Sequence, residues 1–83
     1  MAMTTNYNYD KKAIIGKWEI AIDSAEQYGW FEHDDTGAGG GLWFESNELM
    51  DYDGVYELPL SVIEGIEKLG FNADYAKDKD DES

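Results

Sequence analysis

The stretch that decides the fold is residues 48–71, which read ELMDYDGVYELPLSVIEGIEKLGF. Up to Pro59, apolar and polar residues alternate with the period of 2 typical of a β-strand, and beyond it they repeat with a period near 3.6. The repeat forms one apolar helix stripe of Val62, Ile63, Ile66 and Leu69. Pro59 suits the first helical position, Gly70 suits a left-handed residue after the last turn, and Phe71 can fold back on that turn. The sequence therefore predicts a helix of about 10–12 residues after a sheet.

Alternating patterns predict the sheet that precedes this helix. Strands are predicted over residues 13–23, 28–33, 42–45, 48–52 and 55–58. Asp53-Gly54 predicts a hairpin turn between the last two, because both central positions of such a turn need a positive φ. The glycine-rich run 36–41 predicts a flexible loop. The predicted fold class is α+β, a four- to five-stranded antiparallel meander followed by one C-terminal helix on the face of Trp18, Ile20 and Ile22.

Length and composition predict one small domain. A chain of 83 residues buries only about 60% of its unfolded surface, so its core must come from large side chains, and 14% of the residues are aromatic. We expect a flexible N-terminal arm over residues 1–10, which could add an edge strand, a single α+β domain over 11–75 and a disordered acidic tail over 76–83. Without cysteine, secretory signal or long apolar run, the chain is predicted to be cytoplasmic.

Charge is the main functional signal. The net charge is −13, and the fifty residues from Trp18 to Glu67 hold thirteen Asp and Glu but no Lys or Arg. Such a surface repels bare nucleic acid and anionic membranes, and it attracts basic surfaces on other proteins. The sequence therefore predicts a protein-binding module whose partner is basic, with no direct nucleic-acid or membrane binding.

Motifs for catalysis or metal binding are incomplete. The glycine run is followed by a strand and preceded by acids, so it does not match a phosphate-binding loop. Asp51-Tyr-Asp53-Gly54 matches only the first half of a calcium loop. The sequence around His33 does not identify a nucleophile that this histidine could activate as a general base. The sequence predicts a non-enzymatic protein with no catalytic residue, metal or cofactor.

Candidate partner-binding residues follow from this charge. The acidic candidates are Glu19, Asp23, Glu32, Asp34, Asp35, Glu45, Glu48, Asp51, Asp53 and Glu57. Trp30, Trp43 or Tyr52 could supply an aromatic anchor. Trp30-Phe31 and Trp43-Phe44 are adjacent pairs, so one member of each points away from the helix-covered face. That second face is either covered by the N-terminal arm or a dimer mate, or it exposes aromatic side chains.

A resemblance to known small proteins supports this interpretation. The run Gly39-Gly-Gly-Leu-Trp-Phe-Glu45, then Leu49-Met-Asp-Tyr-Asp-Gly-Val-Tyr-Glu-Leu-Pro59 and an isoleucine-rich helix, resembles small acidic proteins of bacteriophages and mobile elements. Among these are anti-CRISPR and anti-restriction proteins that mimic DNA. The resemblance lies in size, acidity and strand–helix order over about residues 13–75.

The resemblance implies a non-enzymatic inhibitor that acts by surface complementarity in a host cytoplasm. Its partner would be a basic nucleic-acid-binding host protein or complex, such as a CRISPR surveillance complex or a restriction enzyme. The alternative is an acidic interaction or accessory module without mimicry, for example a homodimer whose sheet faces pack together. Both a monomer and a homodimer remain open at this point.

Overall fold

Segments in which apolar and polar residues alternate form a five-stranded antiparallel meander, and each strand pairs with its neighbours in sequence. The computed structural model describes residues 8–80. Its elements are β1 (Lys11–Ile15), β2 (Trp18–Asp23), β3 (Tyr28–His33), β4 (Gly39–Glu45), β5 (Glu48–Tyr52), α1 (Leu60–Lys68) and α2 (Asp74–Asp80). The predicted α+β class, with an antiparallel meander and a C-terminal helix, is confirmed.

A turn at Gly16-Lys17 divides the predicted long strand 13–23 into β1 and β2, so that prediction was wrong. Ile15 and Trp18 face each other across the turn, and Gly16 has a φ of 63°. Glycine at the first central position suits a two-residue hairpin of type II′. The alternation of apolar residues continues through the turn, so the periodicity of the sequence alone does not reveal the turn.

The predicted hairpin at Asp53-Gly54 and the strand 55–58 are also wrong, because residues 53–59 form an irregular connection to α1. The last hairpin lies instead at Ser46-Asn47, where φ is 53° and 65°, as a type I′ turn requires. The Asp53 amide donates to the Gly41 carbonyl at 3.1 Å, and the Gly41 amide donates to Asp53 Oδ1 at 2.7 Å. Asp53 therefore continues along β4 instead of turning away from it.

The glycines of the predicted flexible loop serve close packing. Gly39–Gly41 belong to β4 and pair with Glu32, Phe31 and Trp30 of β3. A Cβ on Gly40 would lie 2.0 Å from the Asp53 carbonyl oxygen, and one on Gly54 would lie 2.0 Å from the Gly39 carbonyl oxygen. Backbone therefore lies directly on backbone here, which only glycine allows.

The core lies between the sheet and α1, on the predicted face. Helix α1 packs on β1 and β2, and a Cβ on Gly65 would lie 2.5 Å from Ile20 Cδ1. The largest fully buried side chains are Phe31, Ile20, Ile22, Leu42, Leu49, Ile63, Ile66 and Val62. Pro59 is the N-cap of α1 rather than its first residue. At the other end, Gly70 (φ 94°) and Phe71 donate to the carbonyls of Glu67 and Ile66, the predicted Schellman motif.

The chain after α1 returns to the sheet. The Phe71 and Phe44 ring centroids are 4.8 Å apart, and Asn72 forms a parallel bridge with Glu48 at the edge of β5. Helix α2 packs on β5, and its Ala76 is buried in the core together with Ala73, which precedes the helix. Residues 76–80 are therefore helical rather than the expected disordered tail, while 81–83 lie outside the described residues.

Residues 8–10 of the N-terminal arm are tied to the turn between β2 and β3. The Asn8 amide donates to Asp23 Oδ2 at 2.7 Å, and the Asp10 carboxylate accepts the Ser24 amide at 2.9 Å and the Ser24 hydroxyl at 2.7 Å. The Tyr9 ring meets Trp30 edge-on at 6.0 Å. The arm does not add a strand over these residues; residues 1–7 lie outside the described part.

We predict that two truncations will differ sharply in stability. A chain ending at Lys77 should melt at nearly the temperature of the full chain, because it keeps Phe71, Ala73 and Ala76, the buried residues that the structure describes in the C-terminal segment. A chain ending at Gly70 loses Phe71, Ala73 and Ala76, and one buried Phe alone is worth about 3–5 kcal/mol. Its melting temperature, followed by circular dichroism, should fall on the order of 20 °C. Equal melting temperatures would contradict the docking of residues 71–76.

A second prediction concerns acid and Asp10. Hydrogen bonds from the Ser24 amide and hydroxyl lower the pKa of the Asp10 carboxyl below its ordinary value. Because the unfolded chain then takes up this proton first, the stability that Asp10 contributes is full above about pH 4 and is lost as pH falls through its folded pKa. In urea unfolding between pH 6 and 2, the stability gap between wild type and Asp10→Asn should shrink below about pH 4. When both chains also carry Ser24→Ala, the difference in unfolding free energy between the chain with Asp10 and its Asp10→Asn variant at pH 6 should be smaller, because one of the two hydrogen bonds is lost. A difference that does not change with pH would contradict the assignment.

Candidate interaction surface on the second face of the sheet

The face of the sheet away from α1, called here the second face, carries acids and aromatics. Strand register and alternation give its members. They are Lys12, Ile14, Glu19, Ala21, Asp23, Tyr28, Trp30, Glu32, Gly41, Trp43, Glu45, Glu48 and Asp51. Six of the ten acidic candidates and two of the three aromatic candidates therefore share one face.

Like charges lie directly opposite each other on this face. Glu19 pairs with Glu32 across β2 and β3, and Glu45 pairs with Glu48 across β4 and β5. Directly opposed like charges destabilise a sheet. Among the described residues, the ion pairs are Lys17–Asp35 and those of Lys77 with Glu67 and Asp74, so none neutralises a carboxylate of the second face.

An aromatic cluster occupies the middle of the second face. The Trp43 ring meets Tyr28 at 5.5 Å with an interplanar angle of 61°. It also lies over Gly41, where a Cβ would be 2.9 Å from indole atom Cη2. Tyr28 and Gly41 therefore hold the indole in place, yet Trp43 remains 39% exposed. Trp30 is half-buried beneath Tyr9, so residues 8–10 cover only part of this face.

Asp23 is a structural residue rather than a contact residue. It is only 2% exposed, and its carboxylate accepts the amides of Asn8, Ala25 and Glu26 at 2.7, 3.0 and 3.0 Å. A buried carboxylate is stable when such donors satisfy it. Its charge is therefore inaccessible to a partner, although the sequence placed it among the candidates.

The remaining candidates lie elsewhere. Tyr52 is on the helix side, with its ring 6.0 Å from Tyr75 and its hydroxyl donating to the Tyr56 carbonyl. The loop acids Asp34 and Asp35 follow β3, and Asp35 pairs with Lys17 at 3.3 Å. The other two, Asp53 and Glu57, belong to the connection before α1 and are exposed.

Sequence reasoning missed three residues that organise the cluster, the aromatic Tyr9 and Tyr28 and the glycine Gly41. A signal for Tyr28 existed, because Tyr28, Trp30 and Glu32 follow each other with period 2 and so share a face of β3. Tyr9 had no such signal, since its contact with Trp30 depends on the fold of the arm.

His33 lies near an open depression at the β1–β2 hairpin. His33 Nδ1 accepts the amides of Asp35 and Thr36 at 3.2 and 3.3 Å, and the ring packs on Trp18 at 4.8 Å. An open depression of about 290 Å³ at the β1–β2 hairpin is lined by Ile14, Gly16, Lys17, Trp18, Glu19 and Asp34. Within residues 8–80, no group of three or more acidic or histidine side chains is placed to hold a metal ion.

The chemistry available on the second face is thus electrostatic attraction combined with aromatic contact. Over the part of the chain that the structure describes, no helix has the length and apolar character needed to span a membrane. Comparisons with protein-family models, curated proteins and solved structures give no match for this chain.

Proposed function

We propose that this chain is a non-enzymatic protein-binding inhibitor whose second face occupies a basic nucleic-acid-binding surface of a host protein. The observation that carries the proposal is that two pairs of like-charged residues, Glu19–Glu32 and Glu45–Glu48, lie opposite each other in the strand pairing on either side of the exposed Trp43. Stability alone would favour opposite charges at these positions. A basic partner would turn the repulsion within each pair into attraction across an interface.

Charge density supports mimicry of nucleic acid. Neighbouring strands lie about 4.8 Å apart, so each opposed glutamate pair concentrates two negative charges in a small area. Duplex DNA also presents dense negative charge, about one per 1.7 Å of its axis. Net charge of −13 steers the whole chain toward positive surfaces and accelerates association at low salt.

The same charges oppose a homodimer through this face. Two second faces packed together would bring the acids of one copy onto those of the other, and among the described strand residues Lys12 is the one base on that face to offset them. Burial of unpaired like charges is strongly unfavourable. A basic heterologous partner is therefore the better occupant.

Competition with DNA tests this function. The immobilised chain would capture partners from a bacterial lysate, and duplex DNA would then be added. We expect the captured protein to be released by DNA and by rising salt, because both compete for its basic surface. A complex that is indifferent to DNA would overturn mimicry and support the accessory-module alternative.

We predict that the position of the charges matters more than their number. A triple variant Glu32→Gln, Glu45→Gln, Asp51→Asn removes three exposed charges from the second face. The matched control Glu26→Gln, Glu57→Gln, Glu64→Gln removes three exposed charges elsewhere. An exposed pair is worth about 0–1 kcal/mol, so the first variant should bind the captured partner about tenfold or more weakly, mainly through a slower on-rate. The control should bind nearly as wild type. Equal losses would contradict a role for the second face.

Charge reversal at Glu32 should separate stability from binding. Glu32→Lys places a cation opposite Glu19, so the free energy of unfolding should rise by roughly 0.2–1 kcal/mol, seen as a higher urea midpoint. The same variant should weaken binding to the captured partner. Glu57→Lys makes an equal change of net charge outside the sheet, and it should neither raise the free energy of unfolding nor weaken binding. A Glu32→Lys chain that is more stable and binds with unchanged salt dependence would refute the proposed function.

A further inference from the structure

We infer that Trp43 and Asp51 form a recognition site for an arginine side chain of the basic partner. The inference rests on the proposed function and adds the identity of the group that the second face contacts. It depends on two exposed residues, an aromatic one and an acidic one, that are paired opposite each other across β4 and β5.

The exposed indole of Trp43 is held in place before any partner arrives. Tyr28 contacts it edge-on, and the absence of a side chain at Gly41 lets the ring lie against the strand. Contacts from these two residues limit the rotamers open to the indole, so little further ordering is needed on binding. Aromatic anchors held in this way are the usual centres of binding energy.

A β-bulge places Asp51 opposite Trp43. Glu45 pairs with Glu48 and Phe44 with Leu49, and regular pairing would continue by placing Met50 opposite Trp43. The register shifts between Trp43 and Phe44, so that Asp51 is the residue opposite Trp43. Without this shift Asp51 would lie on the helix side of the sheet. Bulges commonly redirect a side chain in this way at functional positions.

The Asp51 carboxylate has capacity for a further partner. Its Oδ1 accepts the amide of Tyr52 at 2.9 Å, and the side chain is exposed. Among the described residues, no ion pair involves Asp51. Directly opposed Cβ atoms lie about 4.5–5.5 Å apart, which allows one ligand group to contact the indole and the carboxylate together.

Arginine fits this pair better than lysine does. A guanidinium is planar, stacks on an aromatic face and donates from its edge to a carboxylate at the same time. An ammonium is a compact and strongly hydrated charge that cannot do both with one plane. The site therefore distinguishes between two cations that the acidic face alone would treat alike.

Peptides of equal length and charge test the inference. We would titrate the chain with oligoarginine and with oligolysine by calorimetry, and repeat both titrations with Trp43→Leu, Asp51→Asn and the control Glu64→Gln. Oligoarginine should bind the wild type about three- to tenfold more tightly than oligolysine. Trp43→Leu and Asp51→Asn should each reduce that preference, whereas Glu64→Gln, which removes one exposed charge from α1, should leave it unchanged.

The outcomes separate this inference from the proposed function. If both peptides bind and the preference survives in Trp43→Leu, the arginine site is wrong and the acidic binding face stands. If neither peptide binds the wild type at low salt, the proposed function fails as well. Should Trp43→Leu not fold, wild-type NMR decides: oligoarginine must shift the indole N–H signal of Trp43 more than that of Trp18, which lies on the helix side. Equal shifts would overturn the site.

Discussion

The contact of residues 53–54 with Gly39 and Gly40 determines how the chain leaves the sheet. Backbone meets backbone there at distances that no Cβ could share, and Asp53 bonds to Gly41 through both its amide and its carboxylate. Because of this contact, the chain after β5 runs beside β4 rather than starting another strand. The connection up to Pro59 then delivers α1 to the apolar side of β1 and β2. The position of the core therefore depends on a backbone contact made largely by glycines.

The two faces of the sheet obey opposite physical demands. The helix side gathers the apolar residues that a small domain needs to be stable. The second face carries opposed acids that lower stability, with aromatic residues between them. Asp23 and Asp10 link the two demands, because their carboxylates accept hydrogen bonds from backbone amides and so fix residues 8–10 over part of the second face. Acidic side chains thus serve both as fixed structural acceptors and as free charge, and hydrogen bonds to backbone amides mark the first use, whether the carboxylate is buried, as in Asp23, or exposed, as in Asp10.

The sequence predicted features that depend on near neighbours. The apolar stripe of α1 and the turn ending at Gly70 involve residues within a few positions of each other, and both are confirmed. The Asp53-Gly54 prediction failed because a contact with Gly39 and Gly40, distant in sequence, overrode the local turn preference. The composition showed that the chain is rich in acidic residues, but it did not show on which face of the sheet each of them lies. A single bulge residue decides the side of Asp51, and no local pattern marks it.

The order of the strands also bears on how quickly the sheet can assemble. Every strand pairs with the next one along the chain, and the connecting turns and loops are short. Closing a short loop loses little chain entropy, whereas sheets that join distant segments are slow to form. The meander can therefore form by the successive pairing of neighbouring strands, one hairpin after another. The docking of α1 on β1 and β2, in contrast, requires segments far apart in the chain to meet.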